Sequence, residues 1–251
     1  MGMYSFGSGF LFGNRTDIPN QTPQLFGTLQ DVSVEFSATT KNLYGQYGFP
    51  VLSARGQQKI QCKAKLGQIS ANLFNTLYFG GTANAGQTAI AVSEVASVPA
   101  VSPFTVTTVN AANFLADEGV YYAGTGLPLA RVTGSPAAGQ YAVSAGVYSF
   151  GSGDASAGVL ISYTYTLTGA GQKITLLNPL IGQNPIFSAQ LFTQVTGPQG
   201  VKKALLNLRA CVGTKLSLAT KIEDFTIPEF AFECFADASG TVFDWSFGEV
   251  S

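Results

Sequence analysis

Two stretches of strict two-residue alternation constrain this chain more than anything else in it. Residues 28–37 carry Val32, Val34 and Phe36 on one side and Asp31, Ser33 and Glu35 on the other. Residues 59–65 set Ile60, Cys62 and Ala64 against Lys59, Gln61, Lys63 and Lys65. Because successive side chains of an extended chain point to opposite faces, each stretch reads as a half-buried strand. If the two strands pair, acidic residues stand beside basic ones, which favours the pairing by roughly a few tenths of a kcal/mol per contact. Between them, residues 38–58 (ATTKNLYGQYGFPVLSARGQQ) hold Gly45, Gly48, Pro50 and Gly56 and keep no period. They read as a long loop of the kind that is functional when it occurs in a compact domain. Leu43, Tyr44, Tyr47, Phe49 and Val51 make it too apolar for disorder, and such a loop needs a partner surface.

The rest of the chain extends the same reading. Residues 66–79 place Ile69, Leu73, Phe74, Leu77 and Tyr78 on one helical stripe, with Gly80 and Gly81 as its stop. Residues 84–172 are almost free of charge and rich in Ala, Gly, Ser and Thr, with strand-like runs at 105–109, 140–144, 147–150 and 159–167 and a short helical turn in 110–117. That spacing predicts a small β-sandwich or barrel. From Lys173 the first texture resumes, with strands expected at 186–195, 201–212, 226–236 and 241–247 and a hairpin turn at 197–200. The fold class is therefore mainly β. An N-terminal arm (1–27), whose glycines mingle irregularly with aromatic residues, docks on something. A discontinuous β domain (28–83 and 173–251) has one flanking helix, and a small β domain (84–172) is inserted into it. The hexapeptide YSFGSG occurs at 4–9 and again at 148–153, which is too little to define a repeat architecture.

Catalytic chemistry finds little to work with. The chain has no histidine, so the usual general base near neutral pH, the commonest metal ligand and every histidine-dependent triad are excluded. The neighbours Asp117-Glu118 and Glu223-Asp224 would point to opposite faces of a strand, which does not suit a paired-carboxylate hydrolase. No phosphate-cradling glycine loop and no zinc spacing occurs. Cys62, Cys211 and Cys234 are odd in number and lack metal-ligand spacing, so they read as reduced, buried thiols. The expectation is a protein that is not an enzyme and takes no metal or cofactor. The N-terminus has no secretory pattern, and the long uncharged stretch 174–201 is interrupted by prolines, so no membrane span is expected.

Charge points toward assembly. Only 11% of residues are charged, against a usual share of about 25%, so much of the surface is uncharged. The charges present are segregated: Lys173, Lys202, Lys203, Arg209, Lys215 and Lys221 form a basic block, and Glu223, Asp224, Glu229, Glu233, Asp237, Asp244 and Glu249 an acidic one. These blocks can meet within one fold or across a head-to-tail interface, which closes into rings or runs on as filaments. The candidate self-association residues are Phe6, Phe10 and Phe12 of the arm, Leu43, Tyr44, Tyr47 and Phe49 of the loop, and Lys202, Lys203, Arg209, Glu223 and Asp224 of the charge blocks.

The runs FGSGFLFGNR (6–15) and TPQLFGTLQDVSVEFSATTKNLYGQYGFPVLSARGQQKIQCKAKLGQIS (22–70) resemble the N-terminal part of major tail-tube proteins of long-tailed, siphovirus-like phages. The central PLARVTGSPAAGQYAVSAGVYSFGSGDASAGVLISYTYT (128–166) is similar to segments of the same structural proteins. The resemblance implies a β-sandwich or barrel subunit that forms homohexameric rings stacked into a hollow tail tube. The 38–58 loop would reach into the neighbouring ring and the N-terminal arm would bridge subunits. The implied partners are other copies of the chain, a tape-measure protein in the lumen, and tail-terminator and baseplate proteins at the ends. Such a protein would be assembled in the host cytoplasm and reside in the virion tail, away from membranes. DNA would pass without specific binding. Because counterion release at many phosphates would stall its transit, the lumen is expected to be neutral or acidic, with Lys59, Lys63 and Lys65 paired or turned outward. The 84–172 insert exceeds a minimal tube subunit and is expected on the outer surface or at a ring contact. Competing readings are a capsid decoration or tail-terminator protein, a carbohydrate-binding β-sandwich, disfavoured by the single Trp245, and a lipocalin-like barrel.

Overall fold

A computed structural model describes residues 4–5, 7–197, 200–220 and 222–247. The fold is mainly β, with 59% of residues in strands and 6% helical. It divides into two compact units, one made of Met1–Thr82 and Leu176–Ser251, the other of Ala83–Thr175. The first unit opens with β1 (Tyr4–Ser5), β2 (Phe10–Arg15), β3 (Gln24–Leu25), β4 (Leu29–Tyr44) and β5 (Pro50–Leu66). The second holds β6 (Thr82–Ser97), β7 (Thr105–Thr107), β8 (Phe114–Tyr122), β9 (Ala130–Arg131), β10 (Gln140–Ser144), β11 (Val147–Phe150) and β12 (Gly158–Thr175). β13 (Ile186–Gly197), β14 (Gly200–Ser217), β15 (Glu229–Phe235) and β16 (Phe243–Ser246) return to the first.

Among the described residues, the first unit forms one nine-stranded sheet in the order β3-β2-β13-β14-β15-β5-β4, with β1 on β13 and β16 on β14. The alternation of β4 and β5 sets its register: Val32 faces Ala64, Val34 faces Cys62 and Phe36 faces Ile60. β15 adds Phe230 beside Ala64 and Phe232 beside Cys62, so these apolar side chains share one face, buried except at Phe36, which is exposed and meets Phe243 and Trp245. A helical segment covers that face. α1 (Ala71–Phe74) starts where the Ser70 hydroxyl accepts a hydrogen bond from the Leu73 amide, and it runs on as a π-helical turn, Asn75–Phe79, that ends at left-handed Gly80. Leu73, Phe74 and Leu77 are buried against the sheet. The helix is shorter than the 66–79 read from periodicity. Leu66 still belongs to β5, with its amide bound to the Pro228 carbonyl, and the Gly67 amide is bound to Thr28. Ile69 therefore falls before the first turn and is exposed.

One further expectation is corrected. Residues 38–58 are not a long loop, because β4 and β5 stay paired through Ala38 with Gln58, Thr40 with Arg55, Leu43 with Leu52 and Tyr44 with Pro50. Only residues 45–49 form the turn. The arm also docks within its own chain: β2 lies between β3 and β13, with Leu11 buried. Two glycines permit this close packing. At Gly9, with φ +71°, a Cβ would lie 2.2 Å from the Phe192 carbonyl oxygen, and at Gly13 it would lie 2.5 Å from Leu77 Cδ1. The 197–200 turn closes as expected with Gly197 opposite Gly200, while Pro198 and Gln199 lie outside the described residues.

The second unit contains a three-stranded sheet, β6-β12-β8, and a four-stranded one, β7-β11-β10-β9. Val98, Val120, Tyr141, Tyr148, Val159, Ile161 and Tyr163 make its core. The runs at 140–144 and 147–150 are β10 and β11, whereas 159–167 is only part of the longer β12. The helical turn expected in 110–117 reduces to a 3₁₀ turn at Ala111–Asn113, because β8 already begins at Phe114. Neither β6 nor β8 announces itself by a clean alternation.

Candidate self-association surfaces

The β4–β5 hairpin changes character part-way along its length. Below Phe36 and Ile60 one face lies on the core; beyond them, residues 37–59 are exposed on both faces. Its outer end carries Leu43, Tyr44, Tyr47, Phe49, Val51 and Leu52, each at least 60% exposed. A two-stranded ribbon with water on both faces is marginally stable by itself. Burying an exposed side chain of this kind contributes about 1.5–3 kcal/mol.

The sheet face opposite the helix falls into three bands. Across β4, β5, β15 and β14 it is charged, presenting Asp31, Glu35, Glu229 and Glu233 together with Lys59, Lys63, Lys65 and Lys215. The four carboxylates and four lysines balance. Lys59 pairs with Glu233 at 2.7 Å, Lys215 with Glu229 at 3.4 Å and Lys65 with Asp31 at 3.5 Å, while Lys63 stands between Ser33 and Ala231. The Lys59 ammonium, helped by the Gln61 amide at 3.1 Å, holds the Glu233 carboxyl below its ordinary value against the opposing effect of burial. In the middle, Ser188, Gln190, Asn207 and Arg209 line a cavity of about 490 Å³. At the far end, Phe10, Phe12, Leu25 and Phe192 line a groove of about 750 Å³ rimmed by Gln194 and Lys203. Phe12 and Phe192 meet edge to face at 5.9 Å.

The structure gathers some of the sequence-predicted residues and separates others. Phe10 and Phe12 lie together in the groove, and Leu43, Tyr44, Tyr47 and Phe49 share the hairpin end. Phe6, Lys221 and Glu249 lie outside the described residues. Lys203 rims the groove, and Lys202, also on β14, is opposite Val195 of β13. Arg209 pairs with Asp244 at 2.5 Å, so here the basic and acidic blocks meet inside one chain. Glu223 and Asp224 sit between β14 and β15, where the Asp224 carboxylate accepts a hydrogen bond from the Phe225 amide. That connection also exposes Ile222 and Phe225, and the one before β13 exposes Leu177, Leu180 and Ile181. Sequence reasoning passed over these apolar residues. The available signal was an apolar side chain in a segment without period.

Three of the four carboxylates of the second unit, Glu94, Asp117 and Asp154, serve its interior. The Asp117 side chain is 3% exposed and accepts hydrogen bonds from the Tyr141 hydroxyl at 2.7 Å, the Tyr148 hydroxyl at 2.8 Å and the Gly119 amide at 3.2 Å. Burial, followed by the Asp117 carboxylate, pushes both tyrosine hydroxyls up. Glu118 is exposed, so the Asp117-Glu118 pair is divided between interior and surface. Asp154 accepts from Tyr122 at 2.5 Å and from the Gly139 amide, and Glu94 from Tyr163 at 2.6 Å and the Val109 amide. These bonds join β8 to β10 and β11 and β6 to β12, and tie strands to the loops that hold Val109, Gly139 and Asp154. Among the described residues no group of His, Cys, Asp and Glu is arranged to hold a metal ion, and no helix is long and apolar enough to cross a membrane.

The chain matches no known protein-family model and no curated protein.

Proposed function

We propose that this chain is a structural subunit that packs against copies of itself, in rings that stack into a hollow tube of the phage-tail kind. One observation carries the reading: the outer half of the β4–β5 hairpin, exposed on both faces and tipped with Tyr47 and Phe49. The groove of Phe10, Phe12, Leu25 and Phe192 is a different apolar surface on the same unit. A tip that enters such a groove on another copy makes a heterologous contact, which repeats from subunit to subunit. The balanced charged band supports the same reading, because a wall without excess positive charge releases few counterions and lets DNA slide past. In this reading the hexamer is the ring and a tape-measure protein occupies the lumen during assembly. Terminator and baseplate proteins close the ends, the host cytoplasm is the place of assembly, and the virion tail is the destination. The work is mechanical and not catalytic.

Electron microscopy of the purified protein at rising concentration tests this. Long hollow tubes are the expected result, and a variant with residues 40–55 replaced by Asn-Gly stays folded and forms none. Monomers or single closed rings at every concentration would overturn the tube reading, and a ring that does not stack would favour a terminator-like role.

A further inference from the structure

The three cysteines, far apart in sequence, converge on the buried face of the first unit. Cys211 on β14 and Cys234 on β15 are directly opposite one another, with their sulfur atoms 3.3 Å apart, and the Cys62 sulfur lies 4.0 Å from that of Cys234. All three are free thiols. We propose that Cys211 and Cys234 form a reversible oxidation site that closes to a disulfide when the protein meets a peroxide.

Strand register selects this pair. Directly opposed residues of antiparallel strands have Cα atoms about 4.5–5.5 Å apart, inside the range of about 4.4–6.8 Å that a disulfide spans. Both side chains point to the same face, so closure needs side-chain rotation and no backbone shift. Cys62 is opposite Phe232, not Cys234. It therefore sits diagonally to Cys234, at a Cα separation of about 7–8 Å, beyond what a bridge tolerates without moving a strand.

Exposure and acidity select where the reaction begins. Cys62 and Cys211 are fully buried, whereas Cys234 is half-buried and is the sulfur a small oxidant reaches. The sulfhydryl of Cys211, and then that of Cys62, can donate to the Cys234 sulfur and favour its thiolate. The same contacts, together with burial, push the Cys211 and Cys62 thiols up. The Cys234 thiolate attacks one oxygen of hydrogen peroxide, giving a sulfenic acid and hydroxide, which takes up a proton to become water. The Cys211 sulfur then attacks the sulfenic sulfur, the S–O bond breaks, and a second water leaves with the Cys211 proton. Overall, two thiols lose two electrons and two protons to one peroxide. The bridge staples β14 to β15 between residues 23 apart in sequence, a span that contains the exposed Ile222 and Phe225. It forms within one chain, whether or not copies associate.

The test is a thiol map of the folded protein, reduced with dithiothreitol, freed of reductant and treated with hydrogen peroxide, then denatured and alkylated. The expected result is loss of two of the three titratable thiols and of about 2 Da, a linked peptide pair containing Cys211 and Cys234, an alkylated Cys62, and full reversal by dithiothreitol. The Cys62→Ala variant keeps the bridge, and Cys211→Ala accumulates a sulfenic acid at Cys234 that dimedone traps. Three thiols still titratable after peroxide, or a bridge containing Cys62, would overturn the proposal. If a variant fails to fold, the map of the unmodified chain decides alone.

Discussion

The two halves of the β4–β5 hairpin share a backbone ladder and differ in what lies beneath them. In the inner half, Val32, Val34, Ile60, Cys62 and Ala64 pack beside Phe230 and Phe232 and beneath the helical segment, while Lys59 and Lys65 are held by Glu233 and Asp31 on the other face. In the outer half the strands remain paired from Ala38 with Gln58 to Tyr44 with Pro50, yet both faces are exposed. The inner half is stabilised by its own chain. The outer half is held by strand pairing and by the Ser37 and Thr39 hydroxyls, which donate to the Lys59 and Gln57 carbonyls, and its apolar end is the part of the fold most in need of another molecule.

Substitutions can break this comparison, beginning with the largest effect. Phe232→Ala, beside the inner half on the core face, is expected to destabilise the first unit by about 3–5 kcal/mol, read as a lower denaturant midpoint. Tyr47→Ser with Phe49→Ser, at the outer end, should change the stability by less than about 0.5 kcal/mol. The same double change should weaken association by at least tenfold for each side chain, given about 1.5–3 kcal/mol for burying it, measured by sedimentation velocity. A stability loss at the tip equal to that at Phe232 would show that the outer half already packs within one chain. The smallest effect is acidic. Because Glu233 titrates lower in the folded chain than in the unfolded one, its pairing with Lys59 stabilises fully above the unfolded value of about 4.3. That contribution disappears as pH falls through the lowered folded value. Both side chains are partly exposed, so Glu233→Gln should remove only a few tenths of a kcal/mol at neutral pH and flatten the acid limb of the stability curve.

The same contrast explains what was legible in the sequence. Alternation reveals a strand when its two faces meet different environments, and the inner halves of β4 and β5, with core on one side and water on the other, are plain to read. The outer halves meet the same surroundings on both faces, so no period of two is required, and 38–58 reads as a loop although it is strand. Its apolar content, which marks it as a surface seeking a partner, was legible throughout. The N-terminal glycines and aromatics signalled docking, but only the register of β2 on β13 shows that the acceptor is the chain's own sheet. The opposed charge blocks could meet within or between chains, and the Arg209–Asp244 and Lys215–Glu229 pairs close part of them internally. The convergence of Cys62, Cys211 and Cys234 had no local signal at all, because it depends on which strands become neighbours.

Hydrogen exchange of the backbone amides of residues 38–58, followed from dilute monomer to concentrated protein, tests the central claim most directly. The expected result is fast exchange in the monomer, slower than random coil only through strand pairing, and strong protection of this segment as assemblies grow, while the amides of 59–66 are protected throughout. Assemblies that form with 38–58 still exchanging as in the monomer, or a segment already fully protected in the monomer, would contradict it.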